Sequence, residues 1–343
     1  DRRFLILCGE QSSDHEWRNR LPNRSHLLDV YNAFPNLNDE ERDKLVVRLI
    51  LAVATPTSYL HIKPSIFAHR LIMKYASILL SRFYSIYYRW LDDCIMAYNA
   101  KITTDFFLSF IRKYINLFSC VLCDCMYIKK QDEERLAMGT DKYHILYNRI
   151  DEPISYKRYS LAHYKLLWCS RICKQKRPEI LVPLMNEIIK QNPSIIIDVY
   201  GSVSDGYDVA TLFSHRNINY LGPFNNFYSL PIEAYDALIY TTLYDGMPNI
   251  VLEAMSVGLV VIAPNVGGIS EIIDNGITGY LVNDSTIEKE IIHSYSKAIN
   301  ELYANFDNIT SISEQARIRV KSQHGEKTFR KNLYDAIKGL TIN

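Results

Sequence analysis

The sequence predicts an α/β protein of two Rossmann-like, doubly wound domains with a cleft between the two. Three observations support this prediction. The chain has 343 residues, enough for two domains that each bury their own core. From Lys165 onward, short continuous apolar strands alternate with helical segments, which is typical of a parallel sheet covered on both faces. The first half repeats this alternation less regularly.

The carboxyl-terminal half has the clearest elements. Its predicted strands are 166–170, 194–201, 218–222, 237–242, 259–265 and 279–282. Its predicted helices are 178–192, 248–258, 286–303 and, with a break near His324 and Gly325, 313–340. Ligands bind beyond the carboxyl ends of strands in open parallel sheets, so two such domains predict a site in the cleft between them.

The amino-terminal half gives weaker signals. Its predicted strands are 4–10, 25–30, 58–62, 82–90 and 117–125, and its predicted helices are 39–54 and 64–81. A polar, proline-containing segment at 147–160 marks the boundary. We therefore divide the chain into an amino-terminal domain (1–155), a carboxyl-terminal domain (156–325) and a final helix (326–343) that packs back toward the first domain.

Composition argues against several classes of protein. Lys and Arg total 39 against 38 for Asp and Glu, so the net charge of +1 gives no electrostatic footprint for nucleic acid. Segment 71–91 comes nearest to the roughly 20 apolar residues of a membrane-spanning helix, but Lys74, Arg82 and Arg89 interrupt it. The chain opens with DRRFLIL, without Met or a secretory leader. We expect a segment of a longer polypeptide with further domains, in the cytoplasm or peripherally associated with the inner face of the membrane.

Three of the cysteines, Cys120, Cys123 and Cys125, form a CxxCxC cluster. This cluster is weak evidence for zinc because no second ligand pair has finger or ribbon spacing. The surrounding run FSCVLCDCMYI is typical of a buried strand in which Cys acts as a small hydrophobe. The odd total of seven cysteines fits a reducing compartment, and we expect no metal site.

The segment LYDGMPNIVLEAMSVG, 243–258, places two acids, Asp245 and Glu253, around a Gly-Met-Pro-Asn step after a predicted strand. Pro248 suits the first turn of a helix, and Gly246 lets backbone N–H groups approach a ligand. The helix N-terminus is suited to an anion, and the two acids can accept hydrogen bonds from hydroxyls of different sugar rings. The alternative is that Asp245 caps the helix and Glu253 is solvated, although the apolar neighbours of Glu253 favour a partner.

Two further features favour phosphate binding in the same half. Gly267-Gly268 precedes a predicted helix near Ser270-Glu271, which would be a second turn suited to phosphate. Arg171 and Lys176 follow the first strand of this half, where two cations would clamp a diphosphate. Basic residues in a loop are usually just solvated. Arg171 and Lys176 are candidate site residues only because they follow the carboxyl end of this strand.

These motifs, in this order, resemble the donor-binding domain of the GT-B glycosyltransferases, specifically the large retaining group called family 4. That family has Gly-Arg with a Lys five positions after the Arg, and later Glu-Gly-x-Pro-x-x-x-x-Glu-Ala. The matching residues here are Ser170-Arg171, Lys176, Asp245-Gly246-Met247-Pro248 and Glu253-Ala254. The resemblance covers about residues 165–340.

The resemblance implies a role for each motif residue. Arg171 and Lys176 would bind the nucleotide diphosphate, and Asp245 would hold the donor sugar together with nearby backbone amides. The implied donor-binding set is Gly201, Pro223, Phe224, Gly246, Met247, Pro248, Asn249 and Glu253, in which Glu253 holds the ribose and Pro223-Phe224 lies near the nucleobase. Asp245 departs from the family's Glu by one methylene, which moves the carboxylate by about 1.5 Å.

The amino-terminal half has only a weak resemblance to the family. His61, at the end of a predicted strand, is the fourth catalytic candidate beside Arg171, Lys176 and Asp245, although a lone His there is more often structural. Where the family often has a His after a strand, this sequence has Trp90, Asp92 and Asp93. The Gly-rich first loop of the family is absent from this half, in keeping with an abridged domain.

The resemblance implies a metal-independent, retaining glycosyltransferase without a cofactor. It would move a sugar from a nucleoside diphosphate, UDP or GDP, to a hydroxyl of a glycan or lipid-linked glycan in polysaccharide biosynthesis. One alternative is a sugar-nucleotide epimerase of the same fold. The other is a non-catalytic GT-B module of a larger glycan-assembling protein, which the Asp at position 245 keeps open.

Overall fold

The frame of the molecule consists of parallel sheets. In the computed structural model, which describes residues 4–9, 21, 23–55, 58–63, 65–80, 86–90, 110–136, 141–204, 206–285 and 287–338, the strands form a six-stranded, a four-stranded and a two-stranded sheet. Every strand pair in these sheets is parallel. The α/β class predicted from the sequence is therefore confirmed.

The amino-terminal half contains the two smaller sheets. Strands β1 (Phe4–Cys8) and β2 (Ser25–Asp29) pair with each other. The four-stranded sheet runs in the order β3 (Leu60–Ile62), β4 (Ile86–Trp90), β5 (Cys120–Cys123) and β6 (Tyr143–Ile145). The helices are α1 (Val30–Ala33), α2 (Asp39–Val53), α3 (Ile66–Leu80) and α4 (Met126–Leu136).

Three of these elements, α1, β6 and α4, were not predicted, and α1 is a single turn of four residues. Strand β6 has only three residues, too few to show an alternation. Helix α4 reads MYIKKQDEERL, in which charged residues outnumber the apolar ones that would reveal a helical period. The predicted helix-then-strand over 71–91 is present, since α3 ends at Leu80 and β4 begins at Ile86. No helix among the described residues is long and apolar enough to cross a membrane.

The carboxyl-terminal half is built on the six-stranded sheet, whose order is β12-β11-β10-β7-β8-β9. Its strands are β7 (Lys165–Cys169), β8 (Ile196–Tyr200), β9 (Ile218–Tyr220), β10 (Ala237–Ile239), β11 (Val260–Pro264) and β12 (Tyr280–Val282). Its helices are α5 (Leu181–Ile188), α6 (Val209–Leu212), α7 (Asn249–Val257), α8 (Glu288–Ala304), α9 (Ile309–His324) and α10 (Glu326–Lys338). The strand order reverses between β7 and β10, which is where ligands bind in such sheets.

Two predicted helices are shorter than expected. The segment predicted as 178–192 starts with a 3₁₀ turn, Pro178–Ile180, and is α-helical only over α5. The helix predicted near Ser270-Glu271 is a single 3₁₀ turn, Ile269–Glu271. The break predicted near His324 and Gly325 is present, because α9 ends and α10 begins there.

The buried apolar side chains show how the two halves are joined. Val121 and Cys123 of β5 belong to the same core cluster as Leu167 and Cys169 of β7, so this core is continuous between the four-stranded and six-stranded sheets. Leu166 and Trp168, on the other face of β7, pack in a second core with α5 and α8. Adjacent residues of a strand face opposite sides, and this alternation divides the two cores.

The final helix and the cysteines meet on the other face of β5. Ala336 of α10 packs against Cys120 and Leu122. Cys123 and Cys125 lie in the core on the opposite side, so the CxxCxC residues diverge rather than converge on a metal. Across the described ranges, no group of three or more His, Cys, Asp or Glu side chains is placed to hold a metal ion.

Candidate functional site

The segments that carry the sequence motifs meet at the carboxyl ends of β7 and β10, beside the amino-terminal half. They surround a cavity of about 380 Å³. The lining residues come from both halves of the chain and are Asp124, Asn148, Cys169, Ser170, Lys176, Phe224, Tyr240, Asp245, Gly246, Met247, Pro248, Asn249 and Ile250. The cleft predicted from the two parallel sheets thus contains most of the predicted donor-binding loop.

The charged centre of this cavity is an ion pair between Lys176 and Asp245. The Nζ atom of Lys176 lies 2.5 Å from Oδ2 of Asp245 and 2.7 Å from the hydroxyl of Tyr240. Tyr240 also donates its hydroxyl proton to Asp245. Burial and then the charge of Asp245 raise the pKa of Tyr240 well above its usual value, so the hydroxyl remains a donor.

This ion pair rules out one interpretation of the sequence. If Asp245 capped helix α7, its side chain would accept from the first helical N–H groups. The residue at the N-cap is instead Pro248, and no side-chain hydrogen bond caps the helix. Asp245 belongs to the cavity, with only 20% of its side chain exposed.

The Gly267-Gly268 turn supports the Asp245 loop from behind. Gly267 has a positive φ of 56°, and a Cβ atom there would lie 1.7 Å from the carbonyl oxygen of Asp245. The amide of Gly268 donates to the carbonyl of Gly246 at 2.8 Å. The prediction of a helix after Gly267-Gly268 is therefore wrong, because a single 3₁₀ turn follows, and the Gly268 amide is already bonded within the chain.

Arg171 and Glu253, two of the predicted site residues, are not among the residues that line the cavity. Arg171 is exposed and donates to Oε1 of Gln175 at 3.3 Å, and Gln175 in turn donates to the carbonyl of Tyr244 at 2.9 Å. Glu253 is half-buried on the second turn of α7. Burial, and then the charge of Glu253, raise the pKa of the Cys169 thiol in the cavity wall well above its usual value.

The remaining predicted residues divide between the cavity and its surroundings. Phe224 lines the cavity, whereas Pro223 is exposed. Gly201 does not line the cavity but packs against Ser170, which does. A Cβ atom at Gly201 would lie 1.8 Å from the carbonyl oxygen of Ser170. The side chain of His61 is exposed on the edge strand β3 and does not line the cavity. Asp92 and Asp93 lie outside the described residues.

Sequence reasoning missed two cavity residues of the amino-terminal half, Asp124 and Asn148. The amide of Met247 donates to Oδ2 of Asp124 at 3.4 Å, and Asn148 donates to the side-chain oxygen of Asn249 at 3.1 Å. One signal was available for Asp124, which directly follows the buried strand β5. The predicted strand, 117–125, included Asp124, so Asp124 was not considered as a polar residue at the end of a strand.

A contact between the halves, which we call the clasp, holds Asp124 in place. It consists of Glu271 with the backbone of Met126 and Tyr127. Glu271 accepts hydrogen bonds from these two amides at 3.0 and 2.8 Å and from the hydroxyl of Tyr147 at 2.7 Å. The carboxylate thereby satisfies the first N–H groups of α4 and complements its dipole. Burial, followed by Glu271, raises the pKa of Tyr147, which keeps its hydroxyl a donor.

A larger cavity, of about 730 Å³, lies elsewhere, between the segment 150–156 and helices α9 and α10. It contains none of the residues that the sequence motifs predicted. The smaller cavity is the better candidate because it combines a cation, carboxylates and a helix N-terminus at the strand-order reversal.

Comparison with known proteins shows what the chain resembles. Residues 163–305 match the family described as glycosyl transferases group 1. The chain is 26% identical over 198 residues to the O-antigen biosynthesis glycosyltransferase WbnH of Escherichia coli, covering 57% of this chain and 55% of that protein. It is 24% identical over 181 residues to spore coat protein SA of Bacillus subtilis, covering 49% and 47%. The chain thus spans about half the length of the curated relatives it matches.

Solved structures extend the similarity to the whole chain. The structure of Anabaena Alr3699/HepE in complex with UDP superposes with a TM-score of 0.72 at 15% identity, covering 98% of this chain and all of that one (100%). The pneumococcal O-GlcNAc transferase GtfA, in complex with UDP and GlcNAc, gives 0.69 at 16% identity, covering 89% and 61%. At these identities the comparison establishes the fold, and it confirms the expected arrangement of two Rossmann-like domains.

Proposed function

We propose that this GT-B chain, whose residues 163–305 match the glycosyl transferases group 1 family, transfers a sugar from a nucleoside diphosphate to a hydroxyl of a glycan or lipid-linked glycan. The observation that carries the proposal is the Lys176–Asp245 pair beside the N-terminus of α7, in a cavity between the two halves. The complexes of HepE with UDP and of GtfA with UDP and GlcNAc support a nucleotide sugar as the donor. The similarity to an O-antigen glycosyltransferase supports a glycan acceptor.

Lys176 and the backbone amides at the start of α7 are suited to a leaving diphosphate. A Lys ammonium has three N–H donors, and Tyr240 and Asp245 accept two from Lys176, so a third can reach a phosphate oxygen. The first amides of α7, at Asn249 and Ile250, lack intrahelical acceptors by their position and lie in the cavity wall. These groups would stabilise the negative charge that grows on the diphosphate as the glycosidic bond breaks.

The carboxylate of Asp245 suits the sugar end of the donor. A carboxylate offers several acceptor sites on its two oxygens, so Asp245 can accept from sugar hydroxyls as well as from Lys176. We propose a retaining reaction, in which the acceptor hydroxyl attacks from the face that the diphosphate leaves. This route requires no nucleophile from the protein. It also assigns the growing charge to Lys176 and the helix amides rather than to a metal.

Binding and turnover test this function directly. We expect the full chain to bind UDP or GDP and to transfer the sugar of one UDP- or GDP-sugar to a glycan acceptor in the presence of EDTA. A nucleotide at 100 times its Kd would add about 2.7 kcal/mol to the free energy of unfolding, which thermal denaturation measures. Activity that is lost in EDTA and restored by Mg²⁺ or Mn²⁺ would contradict metal independence. Binding without transfer would indicate a non-catalytic module.

Glu253 gives a test that separates ribose binding from catalysis. The charge of ribose does not change during the reaction, so Glu253→Ala should raise KM for the donor while leaving kcat nearly unchanged. A lost hydrogen bond to a charged group predicts a KM roughly 10-fold higher. Glu253→Gln, which keeps an acceptor oxygen, serves as the conservative control and should lose less. Steady-state kinetics at varied donor concentration measures both constants. A fall in kcat at constant KM would refute the assignment of Glu253 to ribose binding.

A further inference from the structure

Asp124 brings a second carboxylate into the donor cavity from the opposite half of the chain. It directly follows β5, only 6% of the residue is exposed, and it lines the same cavity as Lys176 and Asp245. The cation of this cavity is already paired with Asp245. The position of Asp124 therefore places negative charge where a purely phosphate-binding site would avoid it.

The backbone around Asp124 is held firmly at the interface. The clasp anchors the next two amides, at Met126 and Tyr127, on Glu271. Cys125, which lies between Asp124 and Met126, packs closely on Gly268. A Cβ atom added to Gly268 would lie 2.7 Å from the Cβ of Cys125. These contacts of the three residues after Asp124 limit the directions in which its carboxylate can point.

The contact between Asp124 and the Met247 amide indicates the kind of group that would bind beside them. Its Oδ2 atom accepts from the amide of Met247 at 3.4 Å, longer than the usual 2.7–3.2 Å of such a bond. An amide donor beside a carboxylate acceptor matches a hydroxyl, which can accept from the first and donate to the second. A phosphate oxygen would suit the amide but would be repelled by the carboxylate. The Asp124 end of the cavity therefore favours a neutral, hydroxylated group.

We infer that Asp124 is a specificity-determining residue that accepts a hydrogen bond from a hydroxyl of the transferred sugar. The same hydroxyl accepts from the Met247 amide. The diphosphate lies toward Lys176 and the sugar toward Asp124, so the amino-terminal half completes the donor site. This inference rests on the proposed function.

The test compares nucleotide with nucleotide sugar on the full chain. Calorimetric titration uses UDP and GDP and then their glucose, galactose and N-acetylglucosamine derivatives. In Asp124→Ala, the affinity for the preferred nucleotide sugar should fall roughly 10-fold or more, the loss expected for a hydrogen bond to a charged group. The affinity for the free nucleoside diphosphate should stay the same or rise, because a nearby negative charge is removed. Asp124→Asn, which keeps the shape and an acceptor oxygen but not the charge, should show a smaller loss that is still selective for the nucleotide sugar. A thermal melt establishes that each variant is folded.

Glu271→Gln provides the matched control. It weakens the clasp without altering the cavity wall, so it reports what loosening the interface does to both ligands. If Asp124→Ala lowers the affinity for nucleotide and nucleotide sugar by the same factor, as loosening would, or changes neither, the inference is overturned. If the unmodified chain binds none of these ligands, the proposed function itself fails, and the inference falls with it.

Discussion

Replacing Lys176 by Ala should lower kcat for sugar transfer by roughly 10²-fold or more, comparable to removing a donor that stabilises a developing oxyanion. The side chain is 12% exposed and paired with Asp245, so the variant also leaves a carboxylate near the departing diphosphate. Both effects oppose the charge that grows in the transition state. Arg171→Ala should act in the same direction, since Arg171, like Lys176, lies in the segment that follows β7 and contacts Gln175 of that segment.

The chain offers a close control for this experiment. Lys174 lies in the same 3₁₀ turn as Lys176, is exposed and does not line the cavity. Lys174→Ala should therefore leave kcat within about twofold of the original, as most surface substitutions do. Steady-state kinetics of the three variants tests the assignment. An unchanged kcat in Lys176→Ala, or an equal loss in Lys174→Ala, would show that the cation is not part of the transfer step.

Gly267→Ala should damage both the fold and the site. The new methyl would meet the carbonyl oxygen of Asp245 at 1.7 Å in a backbone conformation, φ 56°, that side chains rarely adopt. The strained conformation alone costs about 1–3 kcal/mol, and the collision must displace the loop that carries Asp245. We expect a clear fall in the urea midpoint of unfolding together with a large loss of activity.

Gly276→Ala separates these two causes. Gly276 also has a positive φ, 75°, but nothing lies within 4 Å of a Cβ atom placed there. This variant carries the backbone strain without the collision, so it should lose about 1–3 kcal/mol of stability and keep its kcat. Urea denaturation and the transfer assay measure both quantities. If the two variants lost equal stability and both stayed active, the close packing of Gly267 on Asp245 would be unimportant.

The sequence was most informative where local signals are strong. Continuous apolar runs marked strands such as β8 and β11, and Pro248 and Gly258 bracketed helix α7, which runs from Asn249 to Val257. Helix α4 was missed because its charged sequence shows little apolar period. The close packing of Gly267 on Asp245 was not predicted because a glycine required for close packing and a glycine required for phosphate binding look identical in a sequence.

The amino-acid sequence was sufficient to predict the α/β class, the order of most strands along the chain, and the loop and helix that carry Asp245 and Glu253. Each of these depends on residues within one short segment, where apolar periodicity, proline and glycine act locally. The groups that meet in the cavity are evident only from the three-dimensional structure. Lys176 and Asp245 are 69 residues apart, Asp124 and Met247 are 123 apart, and Met126 and Glu271 are 145 apart. Such pairs form because parallel strands align their carboxyl ends and a shared core joins the two halves, and no local pattern encodes the partners of each side chain.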